Sequence, residues 1–170
     1  SDFGNKVNNN LIQDCITFMC IAINANDYEI KGNEIVNQGY WIGDGGAIYM
    51  ENTGIVNNSI FTNNCAREQG GAIHMLQSGS VENSVFVNNR ITGRGYLIAG
   101  GAIFIADKGV VSNSAFIKNN ATGDGGALYC HGASSQIMDS YFKDNKASHG
   151  GAVRWENTTD GKILKSTFIS

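Results

Sequence analysis

The tripeptide Gly-Gly-Ala occurs five times in this chain, at 45–47, 70–72, 100–102, 125–127 and 150–152, at steps of 25, 30, 25 and 25 residues. A second set of anchors keeps time with it. Phe61, Phe86, Phe116, Phe142 and Phe168 follow the triplets, and a Ser stands two residues before each: Ser59, Ser84, Ser114, Ser140 and Ser166. A β-branched residue lies five before each Phe (Val56, Val81, Val111, Ile137, Ile163), and Asn lies three after the first four (Asn64, Asn89, Asn119, Asn145). A catalytic motif is usually written once. A motif written five times at a fixed interval is architecture, and a period of about 25 residues with β-branched anchors reads as a β-solenoid.

Each unit has room for three short strands separated by Gly, Asn and Ser turns. Laying each circuit on the last pairs every strand in parallel, about 4.8 Å apart. Degenerate copies precede the five clear ones, with Ile35 and Phe3 placed in the Phe column. We therefore expect six to seven coils, a rod about 30 Å long at that strand spacing. Alternation sends Ile48 and Met50 inward and Tyr49 outward. The inward columns are then Ile48, Ile73, Ile103, Leu128, Val153 and Met50, Met75, Ile105, Cys130, Trp155, apolar throughout. Asn suits the turns and can also bond its own kind up the stack. The Gly pair marks a tight bend, or a close approach of two coils where a Cβ would clash. Pro is absent, as ladders bonded on both sides require.

Composition narrows the class further. The chain has 170 residues with 42% apolar, enough for one continuous core, and its net charge of −3 comes without a Lys/Arg cluster. That disfavours nucleic-acid and anionic-membrane partners. The most apolar stretch, Cys15 to Ile23, is too short to span a bilayer and reads as buried sheet. Cys15, Cys20, Cys65 and Cys130 fall on no metal-binding spacing and read as reduced, mostly buried thiols, with a Cys15–Cys20 bridge left open. We expect 1–170 to be a single β-helix domain cut from a longer protein. Residues 1–42 form degenerate coils, 43–170 hold five clear repeats with the last one cut, and targeting and anchoring signals lie elsewhere.

The pairing GGA[ILV] with FxxN resembles the repeat of the chlamydial polymorphic membrane proteins. The fuller form, "GGAIY…GIVNNSIFTNN", is similar to adhesin-like surface proteins of methanogenic archaea. The resemblance is strong over 43–170 and weak over 1–42. It implies a right-handed parallel β-helix displayed at the cell surface or outside the cell, and it carries no catalytic residue.

Outward positions on the triplet strands form the column Tyr49, His74, Phe104, Tyr129, Arg154, with Trp41 in the turn before the first triplet. Two residues earlier every neighbour is Ala, so the column should be a flat strip suited to stacking sugar rings or meeting a protein. The alternative is that these rings merely stabilise the sheet or are covered by a neighbouring domain. Turns before the triplets vary most, and the five-residue surplus in Arg90–Ala99 should protrude with Arg90, Arg94 and Tyr96. Asp44 and Asp124 lie three coils apart, about 14 Å by strand spacing, beyond the about 5–9.5 Å that glycoside hydrolysis uses. Glu68 lies nearer Asp44, but nothing in the sequence gives that pair an acid/base environment. Asp124 and His149 sit one coil apart and read as a surface hydrogen bond.

These observations point to non-catalytic attachment to, or recognition of, a host, neighbouring-cell or carbohydrate surface. The contact residues chosen are Trp41, Tyr49, His74, Phe104, Tyr129, Arg154, Arg94 and Tyr96. The expected partner is a surface glycan or a protein receptor, with no nucleic acid and no membrane insertion by this segment. We expect no cofactor and no catalytic or metal residue, apart from a weak calcium site in a turn. Open coil ends favour end-to-end self-association. Two rival classes remain, a polysaccharide-active β-helix lyase or hydrolase and a purely structural surface stalk.

Overall fold

The structure is a computed structural model that describes residues 5–13, 21–23, 28–36, 43–95, 97–132, 134–157 and 159–170. It is an all-β parallel solenoid of about five turns, without a helix among the described residues. Every strand pairs in parallel with its counterpart one circuit away. The triplet sheet runs Ile48–Met50, Ile73–Met75, Ile103–Ile105, Leu128–His131 and Val153–Glu156, with Ile21–Ile23 added at its lower edge. A second sheet carries the β-branched column (Gly54–Asn57, Gly79–Glu82, Gly109–Ser112, Gln136–Met138, Lys162–Leu164). A third carries the Phe column (Ile60–Thr62, Val85–Val87, Ala115–Ile117, Tyr141–Lys143, Thr167–Ile169). Strands Tyr28–Lys31 and Asn5–Asn8 extend the second sheet downward, and Glu34–Val36 and Leu11–Gln13 extend the third.

Two details differ from the sequence expectation. A fourth, two-residue strand follows the Asn column in three coils, at Cys65–Ala66, Arg90–Ile91 and Asn120–Ala121. It arises because the backbone after each Asn keeps bonding to the coil below, Arg90 N–H to Asn64 O and Asn120 N–H to Asn89 O, both 2.9 Å. And the residue beneath Ile35 in the Phe column is Ile12; Phe3, placed there from the sequence, lies outside the described residues. So do Cys15 and Cys20. Of the apolar run 15–23, the described part, Ile21–Ile23, is an edge strand with Ile21 half-buried and Ala22 exposed.

The core follows the alternation. Ile48, Met50, Val56 and Phe61, with their equivalents up the rod, make one continuous apolar cluster. Phe rings stack face to face at 4.7, 4.8, 4.9 and 4.6 Å from Phe61 to Phe168, tilted by 7° at most. That separation is the strand spacing itself, so ring stacking comes with the ladder. Cys130 takes its place in the Met column as a free thiol, and burial pushes it up to about 12, too high for a reactive thiolate at neutral pH.

Two polar ladders run inside this wall. Asn89, Asn119 and Asn145 of the FxxN column each accept, through Oδ1, both the backbone N–H and the side-chain N–H of the Asn one coil below: Asn64 to Asn89 at 3.0 and 2.9 Å, Asn89 to Asn119 at 3.0 and 3.0 Å. The second Nδ2 proton goes to the Phe-column carbonyl below, Asn89 to Phe61 O at 3.0 Å. All four amide hydrogen-bonding positions of Asn89 are thereby filled, which makes a fully buried amide tolerable. The Ser column works likewise, with Ser59 N–H donating to Ser84 Oγ and each Oγ–H turned to the carbonyl two residues back. Lower down this column is Asn33 and then Asn10. At the corners Asn58-Ser59, Asn63-Asn64, Asn83-Ser84 and Asn88-Asn89 the first residue turns with positive φ while the second enters a ladder.

Glycine is fixed at the triplet by the stack. The first Gly of each triplet has φ of 61–74°. The second has ordinary backbone but no space: a Cβ on Gly101 would collide with the Gly126 carbonyl oxygen and lie 2.7 Å from the Asn120 carbonyl carbon. In the final coil the nearest atom to such a Cβ on Gly151 is 3.4 Å away. We expect Gly101→Ala to cost about 3 kcal/mol or more and Gly151→Ala about 0.5 kcal/mol or less in urea unfolding; equal costs would show that coil contact does not impose the glycine.

Candidate functional site

The outward column is in register, Tyr49 beside His74, then Phe104, Tyr129 and Arg154. Its rings touch as expected, with centroids 5.0 Å apart for Tyr49–His74, 4.9 Å for His74–Phe104 and 5.3 Å for Phe104–Tyr129. An open strip it is not. His74 and Phe104 are 3% exposed and Tyr129 is fully buried; only Tyr49 and Arg154 at the two ends are half-exposed. The expectation of an accessible aromatic platform at His74, Phe104 and Tyr129 is therefore overturned.

For Phe104 and Tyr129 the cause lies in the long third coil. The Arg90–Ala99 excursion folds back onto the sheet, so that Leu97 and Ala99 join Phe104, Tyr129 and Ala106 in a second apolar cluster outside the solenoid. Ala99 then rejoins the register between Gln69 and Asp124. Covering a large ring in this way is worth about 1.5–3 kcal/mol, which outweighs leaving the surplus residues in solvent. Arg90 stays exposed within its short strand, and Arg94 is exposed at the excursion's outer edge. Trp41 and Tyr96 lie outside the described residues.

Polar groups around the covered rings adapt to burial. The Tyr129 hydroxyl donates to the Glu156 carboxylate, and burial together with that carboxylate holds the phenol well above its usual range. Tyr49 is raised as well, first by burial and then by the charges of Glu51 and Asp44. Asp44 Oδ2 stands 3.4 Å from His74 Nδ1, and neither ring nitrogen of His74 makes a hydrogen bond. Sequence reasoning missed both pairs, although the register contains the first: Glu156 follows Arg154 by two, so it stands over His131 on the strand that also carries Tyr129.

On the rim before the triplets, Gln69, Ala99, Asp124 and His149 stand in one column, each bridged to the next. His149 Nδ1 and Asp124 Oδ1 are 2.9 Å apart on the surface, as the one-coil spacing indicates. Between the excursion and the next coil's turn opens a pocket of about 330 Å³, bordered by Arg94, Ile98, Thr122 and Asp124. Among the described residues no group of three or more His, Cys, Asp or Glu side chains is placed to hold a metal ion.

Fold and site together define a β-solenoid repeat protein with its irregular features gathered on one rim. The sequence profile of the Chlamydia polymorphic membrane protein repeat matches residues 58–75 and 113–131, and those two stretches are similar to that repeat. Each matched stretch starts at the corner before the Ser and Phe columns, crosses the variable turn and ends in the following triplet strand. No curated protein and no solved structure matches the chain.

The raised Tyr129 phenol has a measurable consequence. A group whose folded pKa lies above its unfolded one stabilises fully below the unfolded value, about 10 for Tyr, and loses that contribution as pH climbs toward the folded value. Wild type should exceed Tyr129→Phe in stability at pH 8, and the gap should close above about pH 10. Thermal melts of both proteins between those values check it; a gap constant through pH 11 would refute the assignment.

Proposed function

We propose that this chain is a stretch of a cell-surface, adhesin-like β-helix that attaches to or recognises another surface without catalysis. The domain would span all 170 residues as a right-handed helix of six to seven coils with three main strands each. The observation that carries the reading is the repeat of the Chlamydia polymorphic membrane proteins, matched on coils whose recurring side chains are all engaged in stacking. Side chains left to vary sit in the turns before the triplets, where solenoids put recognition. A surface glycan or a protein receptor suits that rim, where Arg94 is exposed; Tyr49 and Arg154, half-exposed on the triplet sheet, are further accessible contact candidates.

Beads coated with the protein should adhere to at least one of a panel of animal and microbial cells. The triple change Arg94→Gln, Asp124→Asn, His149→Ala on the rim should lower adhesion severalfold, whereas Ser80→Ala with Gln136→Ala on the second sheet should leave it intact. Adhesion no better than that of uncoated beads, or unaffected by the rim changes, would reject the reading.

A further inference from the structure

The rim pocket combines features that select a ligand. Two of its borders are nearly bare backbone, because glycine at 93 and 123 lets the excursion and the next turn press against neighbouring coils: a Cβ on Gly93 would lie 2.9 Å from the Arg67 carbonyl carbon, and one on Gly123 3.1 Å from the Ile98 Cβ. The hollow is held in shape by bonds across those coils. Thr122 Oγ1 donates to Gly93 O at 3.2 Å, Asp124 N–H donates to Ile98 O at 2.9 Å, and Ser148 N–H donates to Gly123 O at 2.8 Å. The pocket is thus pre-formed on the solenoid and not left to a loose loop, and its volume sits at the small end of ligand sites.

Its chemistry is uneven in a useful way. Arg94 is exposed at the mouth, and its guanidinium has no ion pair among the described residues. Such a planar fork matches a carboxylate with two parallel bonds. Asp124, across the pocket, is an acceptor whose Oδ1 is already engaged by His149, leaving Oδ2 for a hydroxyl. Ile98 offers an apolar patch between them. The Glu68 carboxylate stands beside Gly95, an oxygen 3.6 Å from where a Cβ would be. Among the residues bordering the pocket Arg94 is the one cation, and its fork pairs with a single carboxylate.

We infer that this pocket binds a carboxylate-bearing sugar unit, the acid on Arg94, ring hydroxyls on Asp124 and the C–H face of the ring on Ile98. The inference rests on the surface-recognition reading and names the chemistry of its partner, an acidic polysaccharide. Its geometry also gives the five surplus residues of the third coil a role, since they supply Arg94 and Ile98 to the site.

Ligand-observed NMR with methyl glucuronoside, its methyl ester, methyl glucoside, acetate and inorganic phosphate tests it on the wild-type chain and on Arg94→Gln, Arg94→Lys and Asp124→Asn. The glucuronoside should bind about tenfold tighter than its ester or the glucoside, as expected for a charge-assisted pair. Arg94→Gln should erase that preference, Arg94→Lys should restore part of it, and Asp124→Asn should weaken all three sugars. Acetate or phosphate binding as tightly as the glucuronoside, no preference for the acid, or no effect of Arg94→Gln would each overturn the assignment. Thermal melts matched to wild type confirm that the variants fold. Rim-dependent cell adhesion combined with indifference to the glucuronoside would remove this ligand while leaving the surface reading standing.

Discussion

Contact between successive coils at the Gly-Gly corner constrains everything else in this molecule. There the Gly126 carbonyl oxygen occupies the space a Cβ on Gly101 would need, and the same relation repeats at Gly46 with Gly71 and at Gly71 with Gly101. Coils held this close cannot slide or rotate against one another without collision. The remaining columns are therefore locked into superposition: Ile over Ile, Phe over Phe, Ser over Ser, Asn over Asn. Parallel ladders gain their bonds only in that register.

Burial of polar residues follows from the same superposition. A Ser or Asn alone within an apolar wall would cost about 1–3 kcal/mol for each unsatisfied group. Stacked at the ladder spacing, each meets its own copy as donor below and acceptor above, and the cost is cancelled at every level. The ladder has direction, because each coil donates its N–H to the side chain of the coil above. Positive-φ corners held by Asn58, Asn83 and Asn113 deliver the Ser side chains inward, so turn chemistry and ladder chemistry depend on each other.

A rod of identical levels offers little to recognise, and specificity must come from departures from the repeat. The third coil supplies the largest one. Its surplus both seals the aromatic column on the triplet sheet and, with the next turn, frames the rim pocket. Sealing exchanges an aromatic surface for a covered cluster in which Tyr129 and Glu156 satisfy each other. Arg94 and His149 stay accessible at the edge of the solenoid, where the matched stretches cross their variable turns.

The solenoid itself was written in the sequence. Inward columns, the stacked Phe row, the Asn ladder and the role of the Gly pair all follow from period and alternation, because each depends only on a residue's neighbours along the chain and its copies one coil away. The occupant beneath Ile35, Ile12 in place of Phe3, was not legible, since the degenerate copies lack a triplet to fix their phase. Nor was the burial of Phe104 and Tyr129. Alternation gives the face of a sheet a side chain leaves from, but not what lies over that face; that was decided when Leu97 and Ala99 folded back across it, a contact between a non-repeating segment and the repeat that no periodicity encodes.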